Sequence, residues 1–169
     1  MPQVVEAIIP AANMGLRYAD RLLKDINARD FARLPKGIQT NHPAFVFGHL
    51  SVYPDKIMPD IGLGAIAKPD QKYLDLFDAG KECKDDPSGS IYPPMAEIVA
   101  RFRERHAALM EKLPSVKDEV LWTPNPNERS REFFPTQAPR LTFYLTGHMQ
   151  MHLGQVSAWR RIMGMPSAM

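Results

Sequence analysis

Residues 147–155 read GHMQMHLGQ and place two histidines, His148 and His152, four positions apart. They belong to a segment, 139–163, whose apolar residues recur at helical spacing, which predicts a long amphipathic helix. Side chains at positions i and i+4 share one face of a helix, with Cβ atoms roughly 5–6 Å apart. Two neutral imidazoles at that separation can bind one small divalent cation. The stretch therefore predicts both a packed helix and part of a metal site.

Three further long helices are predicted upstream, over residues 4–32, 43–53 and 95–113, with a short helix at 70–79. The first begins or bends at Pro10. The second has Asn41 as its predicted N-cap and is kinked or ended by Pro54 and Pro59. Few stretches alternate at period two, so a β-sheet is not expected.

The segment 114–139 is rich in proline, which argues against a long helix or a central strand there. A long ordered loop in a compact domain is often functional, and this one leads directly into the histidine helix. The pattern predicts an all-α fold, a four-helix bundle with short accessory helices and a long proline-rich loop before the last helix. Its length of 169 residues suits one domain, residues 1–169.

The composition is that of a soluble globular protein, with 44% hydrophobic and 24% charged residues. The formal net charge is +2, and the densest basic run, 101–106, is interrupted by Glu104. Because single-sign clustering is missing, no nucleic-acid partner is expected. The N-terminal segment lacks a signal-peptide pattern, and no apolar run approaches the roughly 18 residues that span a bilayer. Cys83 is the single cysteine, so we expect a soluble cytoplasmic protein without an intramolecular disulfide or a membrane partner.

A third histidine, His49, lies on the second predicted helix among apolar residues. Together with His148 and His152 it predicts a three-histidine site for a divalent metal ion, with one position open to water or substrate. The alternative is that these histidines are hydrogen-bonded core residues, since HxxxH spacing is common by chance. The metal site is favoured because unpaired polar groups on apolar faces are costly. Gly154 and Gln155 then supply a small residue for close helix packing and a polar partner for a ligand.

The motifs Asn41-His42-Pro43, Gly48-His49-Leu50 and His148-x-x-x-His152-x-Gly154-Gln155 together resemble the DinB-like superfamily of bacterial metal-binding four-helix bundles. The resemblance covers the whole length, and HxxxHxGQ paired with an upstream GHL is its most specific part. It implies an up-down-down-up bundle, the three histidines as ligands of zinc or nickel, and a homodimer.

Characterised relatives in that superfamily include S-transferases and isomerases that use low-molecular-weight bacterial thiols. The resemblance therefore implies a thiol-dependent S-transferase acting on a small molecule. Two alternatives stay open: a metal-dependent hydrolase, and a non-catalytic dimeric module that binds a metal or a small molecule. Some members carry a carboxylate shortly after the helix 2 histidine; here the nearest acid is Asp55, six residues after His49.

Four more residues are candidates for contacts with a ligand or substrate. Gln155 is expected to orient a ligand or a bound water, or to form an interhelical hydrogen bond. His42 is expected at the substrate or, preferably, in the capping turn of the second helix. Tyr53 and Tyr144 are candidate proton donors if they reach the site, although packing in the core is favoured. His106, which follows a charged run, is predicted to lie on the surface.

Overall fold

The computed structural model describes residues 3–168, where its regular structure is helical and contains no β-strand, so the all-α prediction is confirmed. The α-helices are α1 (Gln3–Leu23), α2 (Pro43–Ile57), α3 (Gln71–Phe77), α4 (Met95–Lys112), α5 (Asp118–Leu121), α6 (Gln137–Phe143) and α7 (Met149–Ile162). A π-helical turn, Tyr144–His148, joins α6 to α7. None of the helices in this part of the chain is both long and apolar enough to cross a membrane.

The second helix, α2, lies at the centre of the fold, in contact with α3, α4 and α7. Its sequence is apolar on every side, the composition of a helix with no solvent-facing surface. All of its residues except Tyr53 and Lys56 are buried. The polar side chain of His49 is therefore placed in the interior.

The core consists of two clusters that meet at one residue. One cluster is built around Phe47 and Trp159, and the other around Leu109 and Leu141. Tyr53 packs against both clusters. The boundary between the two clusters therefore lies at Tyr53, on the same helix as His49.

The first helix is shorter than predicted: it ends at Leu23 and not near residue 32, and it continues through Pro10. The buried guanidinium of Arg160 donates to the carbonyl oxygens of Leu22, at 2.9 Å, and Lys24. Leu22 lies in the last turn of α1 and Lys24 directly follows that helix, where a cation is also favoured by the helix dipole. Asp25 then adopts φ of +63°, which turns the chain out of the helix. A side chain 138 residues away thus caps the end of α1.

The N-cap of α2 differs from the prediction by one residue. The N-cap is His42 and not Asn41: Nδ1 of His42 accepts a hydrogen bond from the backbone N–H of Phe45 at 3.1 Å. The imidazole also contacts the carbonyl oxygen of Lys84 through Nε2, at 2.9 Å. Both ring nitrogens are occupied by the backbone, and the side chain is fully buried. The preferred interpretation of His42 as part of the capping turn is confirmed.

The final helical segment runs without a break from α6 through the π-turn to the end of α7, close to the predicted range of 139–163. In a π-turn the backbone departs from the i→i−4 hydrogen-bonding pattern of an α-helix. Two threonine hydroxyls near this turn donate to backbone carbonyl oxygens one turn earlier. Thr142 donates to the carbonyl oxygen of Ala138 at 2.9 Å, and Thr146 to that of Thr142 at 2.6 Å. The irregular turn ends at His148, the first histidine of the pair.

The proline-rich segment contains α5 and a loop folded around the buried amide of Asn125. Nδ2 of Asn125 donates to Oγ of Ser130 and to the carbonyl oxygen of Phe134, both at 2.9 Å. The guanidinium of Arg131 donates to the carbonyl oxygen of Asn125 at 2.6 Å. These bonds fix the loop immediately before α6.

The prediction for His106 is wrong, because this side chain is 3% exposed. It lies four residues after Phe102 and three before Leu109, which places it on the buried face of α4. Its Nδ1–H donates to the carbonyl oxygen of Phe102 at 2.8 Å. The neighbouring charged residues, which suggested a solvated face, lie at other angles around the helix.

Candidate metal centre

Three histidines converge where α2 packs against the last helical segment. His49 comes from α2, His148 ends the π-turn, and His152 follows one turn later on α7. Their ligand nitrogens all lie within 4.8 Å of one another. Nitrogen ligands at about 2.0–2.1 Å from one tetrahedral ion stand about 3.3 Å apart. The side chains singled out by spacing are therefore brought within reach of a single ion.

His49 is oriented by the end of α3. Its Nδ1–H donates to the carbonyl oxygen of Phe77 at 2.7 Å. Because a carbonyl oxygen only accepts, Nδ1 carries the proton and Nε2 keeps its lone pair. The two helices approach this closely because residue 48 is glycine: a Cβ atom there would lie 2.4 Å from Cε1 of Phe77.

His152 is oriented by a side-chain amide. Its Nδ1 lies 3.0 Å from Oε1 of Gln155, which also accepts a hydrogen bond of 3.0 Å from Nδ2 of Asn41. The amide oxygen only accepts, so Nδ1 of His152 is the protonated nitrogen. Gln155 therefore orients a histidine, and it also joins α7 to the chain before α2.

His148 is oriented towards His49. Their Nε2 atoms are 3.2 Å apart, and Nε2 of His49 bears a lone pair. Nδ1 of His148 is buried and has no hydrogen-bond partner within residues 3–168. Because Nε2 of His49 is the acceptor, Nε2–H of His148 is the donor of the hydrogen bond between the two rings. A cation shared by the two Nε2 atoms would replace it and use both lone pairs, with the proton of His148 on Nδ1. Three imidazoles, two with preset tautomers, form a donor set that fits zinc, nickel or another borderline transition metal.

The surroundings keep these imidazoles neutral. Burial, followed by the proximity of His152 and His49, lowers the pKa of His148 to about 3. Burial is also the largest cause that lowers the pKa of His49, to about 4, and it lowers the pKa of His152. Neutral imidazole is the metal-binding form, so no proton has to be displaced from these rings at neutral pH.

Aromatic rings enclose the cluster. The ring centroid of Tyr53 lies 4.3 Å from that of His148 and 5.0 Å from that of His49. The ring centroid of Tyr144 lies 5.3 Å from that of His148, with the two ring planes at 79° to each other. Burial raises the pKa of the Tyr53 phenol, which therefore stays protonated. Tyr53 thus reaches the histidines as well as packing against the core.

The carboxylates of Asp55 and Asp78 are both paired with basic side chains. Asp55 is buried and accepts hydrogen bonds from Nε of Arg105 at 2.9 Å and Nη2 of Arg101 at 3.1 Å. Asp78 forms an ion pair with Lys56. Within the described part of the chain, the group of potential ligands contains the three histidines alone, without an acid or Cys83.

One partner in the site had no signal in the sequence: the Phe77 carbonyl is a backbone group that any residue could supply. Gly154 was expected to allow close helix packing, but a Cβ atom there would meet nothing within 4 Å. The glycine required by a close approach is Gly48, within the Gly-His-Leu motif.

Comparison of the chain with known protein families, curated proteins and solved structures gives no match. The interpretation of the centre therefore depends on its own geometry.

Proposed function

We propose that this protein binds one divalent metal ion, zinc or nickel, through His49, His148 and His152, and acts as a thiol-dependent S-transferase of the DinB-like kind. The observation that carries the metal site is the convergence of three neutral imidazoles whose ligand nitrogens lie within 4.8 Å of one another. Hydrogen bonds to Phe77 and Gln155 support this assignment, because they direct the free lone pairs of His49 and His152 away from the backbone.

The fold proposed with this function is an up-down-down-up bundle of α1, α2, α4 and the combined α6–α7 segment. Contacts of α2 with α4 and α7, and of α1 with α7, support the arrangement. An ion pair of 2.7 Å between Asp20 and Arg103 links α1 to α4. A homodimer is part of the same proposal, by analogy with the superfamily.

When bound, a divalent ion with three neutral ligands lowers the pKa of a thiol and holds it as the nucleophilic thiolate. The residues of the chain prepare for this chemistry in two ways. Phe77 and Gln155 fix the orientation of two imidazoles, so little reorganisation accompanies binding. The rings of Tyr53 and Tyr144 cover part of the cluster and reduce the access of water to it.

A non-catalytic metal-binding or small-molecule-binding module is the second candidate. It is favoured by one observation: the carboxylate of Asp55, the nearest acid in sequence, is neutralised by Arg105 and Arg101. The same observation weighs against a hydrolase in which Asp55 would be the general base. Transfer from a thiol that is already ionised requires no such base.

Elemental analysis of untagged protein tests the metal site. We expect about one zinc or nickel per chain, with less than a tenth of that content in His148→Ala and His152→Ala at unchanged helical circular dichroism. The matched control is His106→Ala, which removes a buried histidine outside the cluster and should retain the metal. Full occupancy in His148→Ala, or none in the wild type after reconstitution, would rule out the ligand set.

Turnover separates the two candidate functions. A transferase loaded with metal should conjugate small thiols to a model electrophile such as 1-chloro-2,4-dinitrobenzene, displacing chloride, at a rate that falls to background in His148→Ala. A binding module would bind the metal in the wild type but conjugate the thiol only at the background rate, the same rate as in His148→Ala.

A further inference from the structure

A continuous row of aromatic rings leads away from the histidine cluster. We call it the aromatic wall; it consists of Tyr53, Tyr144, Phe143 and Phe134. Neighbouring ring centroids along the row lie 4.8, 5.4 and 4.9 Å apart. All four residues are half-buried, so each keeps part of its surface accessible. Such rings offer flat apolar surface without the entropy cost of ordering flexible chains.

The near end of the aromatic wall touches the histidines directly. Tyr53 lies 4.3 Å from His148, and Phe143 lies 5.7 Å from the same imidazole. A molecule that places a donor atom at the histidine cluster therefore has these rings within a few ångströms of its next few atoms.

The far end of the aromatic wall is held in place by the folded loop. The carbonyl oxygen of Phe134 accepts a hydrogen bond from Asn125, and its backbone N–H donates to the carbonyl oxygen of Ser130 at 2.8 Å. The ring of Phe134 stacks on Phe143 with an interplanar angle of 29°. Phe133, the preceding residue, points into solvent with 72% of its surface exposed. The loop thus turns one of two consecutive phenylalanines towards the site and the other away.

Formal charges beside the aromatic wall are already compensated. The ammonium of Lys56, 5.6 Å from the ring centroid of Tyr53, is paired with Asp78. The guanidinium of Arg140, 5.8 Å from the ring centroid of Tyr144, is paired with Asp60. Because each cation has its own carboxylate, neither flank selects strongly for a charged group. The surface is suited to a planar apolar group.

We propose that the aromatic wall is a specificity subsite, which binds an aromatic or similarly planar apolar group of the molecule that enters the histidine cluster. This inference rests on the proposed function for the identity of the neighbouring site, and it names the class of substrate. The planar group belongs either to the thiol or to the compound that accepts sulfur. Both sources share the same chemistry, recognition by stacking and burial of a ring.

A first experiment needs no metal. Benzyl alcohol is titrated into the metal-free protein while the aromatic side-chain signals of Tyr144 and Phe134 are followed by NMR. Saturable shifts at both residues are expected, with the affinity lowered about threefold to tenfold in Phe134→Ala and in Tyr144→Leu, the range that corresponds to one lost ring contact. Phe133→Ala is the matched control and should bind as the wild type does.

The subsite is overturned if no saturable shift occurs, or if Phe133→Ala weakens binding as much as Phe134→Ala. Two variants at different places in the row are used because Phe134→Ala could also loosen the loop. Tyr144→Leu retains the ring of Phe134 and does not remove any partner of its backbone hydrogen bonds.

A second experiment uses cobalt-loaded protein, in which sulfur-to-metal charge-transfer absorption reports a bound thiolate. Benzyl mercaptan should bind at least about threefold more tightly than ethanethiol, and Phe134→Ala should abolish that preference while retaining the cobalt. Equal affinities in the wild type would overturn the subsite but leave the metal site intact. A protein that binds no cobalt would contradict the proposed function, while the benzyl alcohol titration still decides the subsite.

Competition identifies the source of the ring. If benzyl alcohol competes with benzyl mercaptan but leaves ethanethiol bound, the subsite and the sulfur position are adjacent and can be filled together, as an aromatic acceptor requires. If benzyl alcohol displaces ethanethiol as well, the ring and sulfur share one position, as an aromatic thiol requires. Both results depend on an occupied aromatic wall and so support the proposal.

Discussion

Gln155 controls the position of His152 through a single oxygen atom. Oε1 faces Nδ1 of His152 and also accepts a hydrogen bond from Asn41, so the amide cannot rotate without breaking both contacts. Hydrogen-bond acceptors behind a metal-binding imidazole fix its tautomer and raise its basicity. The strength of the site should therefore depend on the acceptor at residue 155.

We expect Gln155→Leu to weaken metal affinity by about 10–100-fold, the usual cost of removing such a partner. Gln155→Glu should retain or raise the affinity, because a carboxylate is the stronger acceptor. Competition against a chromophoric chelator measures both. Gln150→Leu, an exposed position on the same helix, is the control. Equal affinities in the leucine and glutamate variants would show that residue 155 does not act through the imidazole.

The three histidines could be predicted at the level of residues because their spacing is visible in the sequence. His148 and His152 are related by one helical turn, and His49 lies within an apolar run. The partners that orient them could not be predicted in the same way. The acceptor for His49 is a backbone carbonyl on a helix that is remote in sequence, and sequence pattern carries no information about which carbonyl will be near.

At the level of helices, Gly48 determines how closely α3 approaches α2. A Cβ atom at residue 48 would lie within 2.6 Å of three ring atoms of Phe77. That ring is fully buried and packs against Phe45, Tyr73 and Tyr92, so it has no free space into which to move. Any displacement of Phe77 would also move the carbonyl that orients His49.

We expect Gly48→Ala to lower the free energy of unfolding by about 1–3 kcal/mol, the typical cost of overpacking a core, and to weaken metal binding as well. Gly154→Ala is the matched control. It lies on α7 in open space and should raise the free energy of unfolding by about 0.5–1 kcal/mol, since alanine is the better helix former. Urea denaturation gives both values. An unchanged free energy of unfolding in Gly48→Ala would mean that α3 moves away from α2 without loss of stability.

Helix boundaries show why the local sequence pattern predicted only part of the fold. The range of α4 was predicted closely because its apolar stripe and the preceding Pro94 are local signals. The end of α1 was not: its last carbonyls are capped by Arg160, which is remote in sequence. The local pattern carries no information about such contacts between distant segments.

At the scale of the whole molecule, a buried neutral histidine links stability to pH. Burial lowers the pKa of His106 to about 4 from the 6.5 expected in the unfolded chain. Between these two values the unfolded state binds more protons than the folded state does. The contribution of His106 to the free energy of unfolding is therefore fully present above about pH 6.5 and is lost as the pH falls towards 4.

This histidine alone should lower the free energy of unfolding by about 2 kcal/mol between pH 7 and pH 5. In His106→Asn, whose amide can still donate to the carbonyl of Phe102, the decrease should be smaller by about that amount. Urea denaturation of metal-free protein at the two pH values makes the comparison. Identical decreases in the two proteins would show that His106 does not titrate in this range.

The π-turn at Tyr144–His148 has a consequence for how this protein tolerates changes in length. One residue of an α-helix corresponds to a rotation of about 100°, and a π-turn accommodates one residue more than the regular spiral needs. Deleting a single residue between 144 and 147 would therefore convert the π-turn into a regular α-helical turn and leave α6 and α7 in the same rotational relation. A deletion elsewhere in α6 or α7, where the helix has no extra residue to lose, would rotate one part of the segment by about 100° against the other and separate the aromatic rings from the histidines.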